Sequence, residues 1–117
     1  EYWKNRGLFK HDLARALREE VEQLITSGAR IIQIDEPALT TRMRGFASDI
    51  AAIYESFAGL EDKAYFILHI CYSDMEALNQ AFPKLLELPF HQIHMEMANR
   101  SYALLSLIEK YGFGGGA

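Results

Sequence analysis

Apolar residues recur at intervals of three and four along four stretches of the chain, a pattern typical of amphipathic helices. The first predicted helix runs from Phe9 to Thr26, and Gly28 follows it, as glycine commonly follows a helix C-terminus. A capping-box sequence, Ser73-Asp-Met-Glu76, opens the third, and Pro83 leaves open a break into two short helices. The second, third and fourth predicted helices cover 46–60, 73–88 and 102–111.

Three short runs rich in β-branched, aromatic or alternating apolar residues lie between these helices and predict strands. They cover 30–35, 65–71 and 92–97. The order is therefore one helix followed by three strand-helix units, and such alternation is typical of a parallel sheet with crossover helices. The predicted fold class is α/β.

Polar side chains collect where each predicted strand ends. In chain order they are Asp35 and Glu36, His69 and Cys71, and Glu96 followed by Asn99 and Arg100. In parallel sheets, whether open or closed into a barrel, reacting groups gather at the carboxyl ends of the strands. We therefore expect these three clusters to meet at one edge of the sheet.

His69 and Cys71 carry the strongest chemical signal in the chain. Residues i and i+2 of a strand point to one face about 7 Å apart, so an imidazole and a thiolate so placed can bind one metal ion. Zinc accepts mixed nitrogen and sulfur ligands and needs a further carboxylate or cysteine to complete a tetrahedron. The pattern indicates a zinc site.

Each of these residues also has a purely structural interpretation. Histidine and cysteine in a buried strand are commonly packing residues. Asp35 and Glu36 could cap the turn that follows them, and Glu96 could be a solvated charge at a strand end. His91 and His94 are competing ligands, and His94 shares a strand face with Glu96.

Composition narrows the class of partner. The chain has 117 residues, 50% of them hydrophobic, with a formal net charge of -4 and no block of basic residues, so neither nucleic acid nor an anionic membrane is an expected partner. Small-molecule substrates are expected instead. A single cysteine cannot form an internal disulfide, and the expected compartment is the cytoplasm.

The two ends of the sequence suggest a piece of a longer protein. The chain starts at Glu1 instead of methionine and stops in the glycine-rich stretch 112–117. We expect residues 1–117 to be a fragment of one domain.

Three segments together resemble a known enzyme family. They are Ile31-Ile-Gln-Ile-Asp-Glu-Pro-Ala-Leu39, His69-Ile-Cys-Tyr-Ser-Asp74 and Met95-Glu-Met-Ala-Asn-Arg100. They are similar to the catalytic, zinc-containing domain of cobalamin-independent methionine synthase, particularly its archaeal, single-domain form. The resemblance implies a (β/α)8 barrel, of which this chain supplies about three consecutive strand-helix units preceded by a helix.

The resemblance also implies roles for individual residues. His69, Cys71 and Glu96 would be zinc ligands, and a second cysteine would come from a strand beyond residue 117. Asp35 would be the catalytic-site carboxylate that binds the amino group of homocysteine, with Glu36 beside it in substrate positioning. The implied reaction moves the methyl group of 5-methyltetrahydrofolate, often polyglutamylated, to the thiol of homocysteine.

Two alternatives stay open at this point. A zinc-dependent methyl- or alkyltransferase acting on another thiol, such as coenzyme M, shares the His-x-Cys arrangement, although the Ile-Asp-Glu-Pro-Ala-Leu segment favours homocysteine. The other alternative is a non-catalytic fragment. Because three strand-helix units leave sheet edges and apolar helix faces uncovered, we expect the isolated chain to be inactive and to self-associate.

Overall fold

The computed structural model of the chain describes residues 4–37, 39, 46–71, 74–98 and 101–112. The elements occur in the predicted order of one helix and three strand-helix units. They are α1 (Arg6–Thr26), β1 (Ile31–Asp35), α2 (Phe46–Glu55), β2 (Tyr65–Ile70), α3 (Met75–Leu85), β3 (Gln92–Met95) and α4 (Leu105–Tyr111). Within these described ranges, no helix has the length and apolar character needed to cross a membrane.

The three strands form one parallel sheet in the order β1-β2-β3. In the register, Asp35 of β1 lies opposite His69 of β2, and His69 lies opposite His94 of β3. Consecutive strands are neighbours and each pair is joined through a helix, as in a (β/α)8 barrel. The predicted α/β class is confirmed, and the architecture is that of part of such a barrel.

One face of the sheet carries the core. Alternation along β2 buries Phe66, Leu68 and Ile70 completely, at 0% exposure each. These side chains are covered by Phe57, which follows α2 and stacks on Phe66 at a ring-centroid distance of 4.9 Å, and by Phe82 of α3. Each fully buried apolar side chain contributes about 1.5–3 kcal/mol relative to an exposed one, so this face stabilises the unit.

The opposite face of the sheet is open. Ile31 is 68% exposed and Tyr65 is 42% exposed, although both belong to strands. On α1 a row of large apolar side chains is also 40–52% exposed, comprising Leu8, Phe9, Leu13, Leu17 and Leu24. These surfaces are where further strands and helices would pack in a closed barrel.

Polar contacts fix α1 against α2. Lys10 pairs with Asp49 and donates to Ser48 Oγ at 2.7 Å. Further along α1, Arg18 Nη1 donates to the carbonyl of Ala58 at 2.7 Å, just beyond the C-terminus of α2. The same Nη1 also donates to the carbonyl of Glu55, the last residue of α2, at 3.4 Å. The guanidinium thus approaches a carbonyl that the helix end leaves without a helical donor, and its charge complements the helix dipole.

Several helix boundaries differ from those predicted, for local reasons. α1 begins at Arg6 because the Asn5 side chain caps it, accepting from the N–H of Leu8 at 3.2 Å. α4 begins only at Leu105 because Ser101 and Tyr102 adopt φ angles of 48° and 63°, which a right-handed helix excludes.

The cap of α3 also differs. Asp74 caps this helix, with its Oδ1 accepting from the N–H groups of Glu76 and Ala77 at 3.0 Å each. The predicted capping box, which would have begun at Ser73, is therefore displaced by one residue. Ser73 itself lies outside the described residues.

Pro83 does not break α3, which is continuous. Because proline has no N–H, the carbonyl of Asn79 has no helical donor four residues later. The Tyr111 hydroxyl donates to this carbonyl at 3.4 Å and to Asn79 Oδ1 at 3.1 Å, and Lys110 Nζ donates to the same Oδ1 at 3.2 Å. α4 thus docks on α3 at the position that the proline leaves without its backbone donor.

We predict that Tyr111→Phe lowers the free energy of unfolding by about 0.5–1.5 kcal/mol, the usual net contribution of one hydrogen bond. Urea denaturation measures the change. The matched control is Tyr102→Phe, because Tyr102 is 63% exposed and its variant should stay within about 0.5 kcal/mol of the parent. Equal effects of the two substitutions would show that the Asn79 contact does not stabilise the docking of α4.

We propose that the isolated chain self-associates through the exposed apolar row of α1 and the open sheet face. Light scattering should give a mass that rises with concentration, and the double variant Leu13→Glu, Leu17→Glu should shift it toward the monomer. Leu105→Glu is the control, since Leu105 is 51% exposed on a different helix. A strict monomer at high concentration contradicts the proposal.

Candidate metal and substrate site

His69 lies at the carboxyl end of β2 on the open face of the sheet. The buried side chains of β2 alternate with it, so His69 points away from the core. Cys71 follows β2 directly as a free, half-buried cysteine. The period-2 alternation of an extended chain places the imidazole and the thiol on the same side.

The backbone ladder brings two glutamates to the same rim. The N–H of Glu36 donates to the carbonyl of His69 at 3.0 Å, which continues the β1-β2 pairing one residue beyond β1. The N–H of Glu96 lies 3.4 Å from the carbonyl of Ile70, which extends the β2-β3 pairing in the same way. Both glutamates are half-buried. The described members of the three predicted clusters therefore lie at one edge of the sheet: Asp35, Glu36, His69, Cys71 and Glu96.

The side chain of His69 contacts that of His94. Their Nδ1 atoms are 3.1 Å apart, and their ring centroids are separated by 4.8 Å with an interplanar angle of 50°. His94, which the sequence offers as an alternative metal ligand, therefore contacts the predicted ligand His69. His91 lies elsewhere, at the amino end of β3, where its Nδ1 accepts from the N–H of Phe66 at 3.0 Å and its ring stacks on Tyr65.

Asp35 ends β1 and is oriented by a neighbour on its own strand. Gln33 Nε2 donates to Asp35 Oδ1 at 2.7 Å. A cavity of about 130 Å³ between α1, α2 and the end of β1 is lined in part by Lys10, Asp35 and Glu36. Its lining does not include His69, Cys71 or Glu96, so this cavity adjoins the carboxylates and not the predicted metal ligands.

The donors fit zinc by chemical type. Imidazole, thiolate and carboxylate are all zinc ligands, and His69, Cys71 and Glu96 occupy adjacent strand ends. Among the described residues, however, no group of three histidine, cysteine, aspartate or glutamate side chains is arranged to hold a metal ion. The assignment of His69, Cys71 and Glu96 as ligands stays a prediction.

The alternation of a strand predicts that His94 shares a face with Glu96, but it does not by itself predict the contact between His94 and His69. The sequence does carry a signal for this contact. If Cys71 and Glu96 lie opposite each other on neighbouring parallel strands, the residues two positions before them, His69 and His94, are opposite each other as well. Asn99 and Arg100, predicted at the same rim, lie outside the described residues.

Comparison with known proteins identifies the family. Residues 4–116 match the family model described as "Cobalamin-independent synthase, Catalytic domain". The chain belongs to this family. A protein named "Methionine synthase" from Saccharolobus islandicus is 38% identical over 113 residues, which is 97% of this chain and 32% of that protein.

Two further relatives of the same name agree. The protein from Saccharolobus solfataricus is 37% identical over 113 residues, covering 97% of this chain and 32% of the relative. The protein from Sulfurisphaera tokodaii is 33% identical over 111 residues, covering 95% and 31%. The chain thus spans about a third of the length of these curated relatives. No solved structure matched it.

Proposed function

We propose that the protein to which this chain contributes transfers the methyl group of 5-methyltetrahydrofolate, with or without a polyglutamate tail, to the thiol of homocysteine to form methionine. The supporting observation is the in-register rim formed by the carboxyl ends of three adjacent strands, where Asp35, His69, Cys71 and Glu96 lie. We place the reaction in the cytoplasm, where a single free cysteine stays reduced.

In this proposal His69, Cys71 and Glu96 would hold a zinc ion together with a fourth ligand. Bound zinc lowers the pKa of a coordinated thiol, so that a thiolate is available near neutral pH. Cys71 as thiolate and Glu96 as carboxylate would supply two negative charges. These charges offset that of the metal and preserve the electron density that a sulfur nucleophile needs.

In this proposal Asp35 binds the end of homocysteine that carries the ammonium group. Its carboxylate would pair with the ammonium group of homocysteine, and the hydrogen bond from Gln33 fixes the orientation of that carboxylate before substrate arrives. Holding the ammonium at the end of β1 directs the thiol toward the end of β2. Such positioning removes part of the entropic cost of reaction.

A different thiol substrate is less favoured by the charge of this rim. Coenzyme M ends in a sulfonate, whereas homocysteine ends in an α-carbon that carries an ammonium group together with its carboxylate. Only homocysteine therefore offers a cation to the carboxylate of Asp35. We therefore favour an amino-acid thiol. The isolated chain is expected to lack turnover, because it supplies three strands and one cysteine of a larger site.

We predict that the chain binds zinc through Cys71. Metal content and chelator competition should show stoichiometric zinc in the parent and at least a 100-fold weaker affinity in Cys71→Ala, since even changes outside the ligand set cost about 10- to 100-fold. His91→Ala is the control, because it removes an imidazole at the other end of β3. Equal trace metal in the parent and in Cys71→Ala would discard the ligand assignment.

We predict that Asp35→Asn weakens homocysteine binding to the zinc-loaded chain by about 10- to 100-fold, because a hydrogen bond to a charged group contributes about 1.5–3 kcal/mol. Calorimetric titration measures the change. Asp62→Asn removes the same charge from an exposed turn and should bind like the parent. The amino-group role of Asp35 fails if both variants bind homocysteine equally well.

A further inference from the structure

The contact between His69 and His94 constrains the protonation of both rings. The two residues are opposite one another in the parallel register, and their Nδ1 atoms are 3.1 Å apart. At this distance two neutral imidazoles share one hydrogen, because one ring must donate and the other must accept. The contact therefore couples the two tautomers: the donor ring carries its hydrogen on Nδ1 and the acceptor ring carries its hydrogen on Nε2.

The direction of this hydrogen bond decides whether His69 can bind a metal. When Nδ1–H of His69 donates, its Nε2 keeps a free lone pair. When His94 donates instead, Nδ1 of His69 is engaged as the acceptor and its Nε2 carries the proton, which leaves no nitrogen free. Histidines that ligate metals generally donate their other ring N–H to a nearby acceptor.

We propose that His94 is a positioning residue for His69: its Nδ1 accepts the Nδ1–H of His69, so that His69 presents Nε2 to zinc. This inference rests on the zinc role of His69 in the proposed function and deepens it. In the β2-β3 register His94 sits opposite His69, whereas Glu96 lies two residues closer to the rim. His94 is thus level with His69 and lies behind Cys71 and Glu96, where it can contact the His69 ring from the side away from the rim.

The tautomer of His69 can be measured without metal. In the ¹⁵N-histidine-labelled, metal-free chain at mildly alkaline pH, NMR should show His69 protonated at Nδ1 and bare at Nε2. His94→Ala should return His69 to the Nε2–H form that free imidazole side chains prefer. His94→Asn should keep the Nδ1–H form, because the asparagine oxygen occupies the place of Nδ1 and accepts.

Zinc affinity gives the second readout. By competition with a chromogenic chelator, His94→Ala should bind zinc about 10- to 100-fold more weakly than the parent, the range found when an outer partner of a ligating histidine is lost. His94→Asn should recover most of this loss, and His91→Ala should bind like the parent. Circular dichroism of the variants shows whether the fold is retained.

Three results would overturn the proposal. The first is an Nε2–H tautomer of His69 in the parent chain. The second is a zinc affinity of His94→Ala no lower than that of His91→Ala. The third is equal loss of zinc in His94→Ala and His94→Asn, which identifies His94 as a ligand, since asparagine cannot replace an imidazole on zinc.

Failure of the proposed function has a separate signature. If the parent chain binds no zinc, the proposed function loses its metal site, and the tautomer alone then decides the role of His94. In that case Nδ1–H at His69, lost in His94→Ala and retained in His94→Asn, supports the positioning role. An unchanged tautomer across the three proteins refutes it.

Discussion

The parallel register of the three strands is the constraint on which the rest of the structure depends. Because Asp35, His69 and His94 are opposite one another across β1, β2 and β3, every residue that follows them is placed by the same ladder. A slip of one residue between strands would turn His69 or His94 to the buried face. The complete burial of Phe66, Leu68 and Ile70 prevents such a slip, so the hydrophobic core fixes the geometry of the polar rim.

The order of elements and the polar rim could be predicted from sequence because both follow from periodicity. Alternating runs and amphipathic spacing locate the strands and helices, and the carboxyl-end rule of parallel sheets then groups Asp35, His69 and Glu96. No sequence pattern of that kind marks Ser101 and Tyr102, whose left-handed backbone conformation makes α4 begin later than predicted. The displacement of the α3 cap to Asp74 depends on which of two adjacent capping side chains reaches the helix N–H groups.

Pro83 shows why a local rule can be overridden by packing. Because proline has no backbone N–H, Pro83 removes one hydrogen bond of the helix, and its low helix propensity alone would allow α3 to break there. In the structure the Asn79 carbonyl is approached by the Tyr111 hydroxyl from α4, while Leu78, Phe82 and Leu85 are completely buried. Burial of three large side chains outweighs one missing backbone bond. The Tyr111 hydroxyl that approaches the unpaired carbonyl comes from α4, so the local sequence around Pro83 does not show this contact.

The charge of the rim connects the fold with the proposed chemistry. Asp35, Glu36 and Glu96 are three carboxylates at adjacent strand ends, and Cys71 adds a fourth anion when it ligates a metal. Water stabilises these charges while the face of the sheet is exposed. Further strands that completed a barrel would exclude this water and raise the free-energy cost of each charge. A divalent cation near Cys71 and Glu96 and an ammonium group at Asp35 would offset these charges. The zinc ion and the homocysteine ammonium group of the proposed function would therefore each lower the free-energy cost of enclosing the rim.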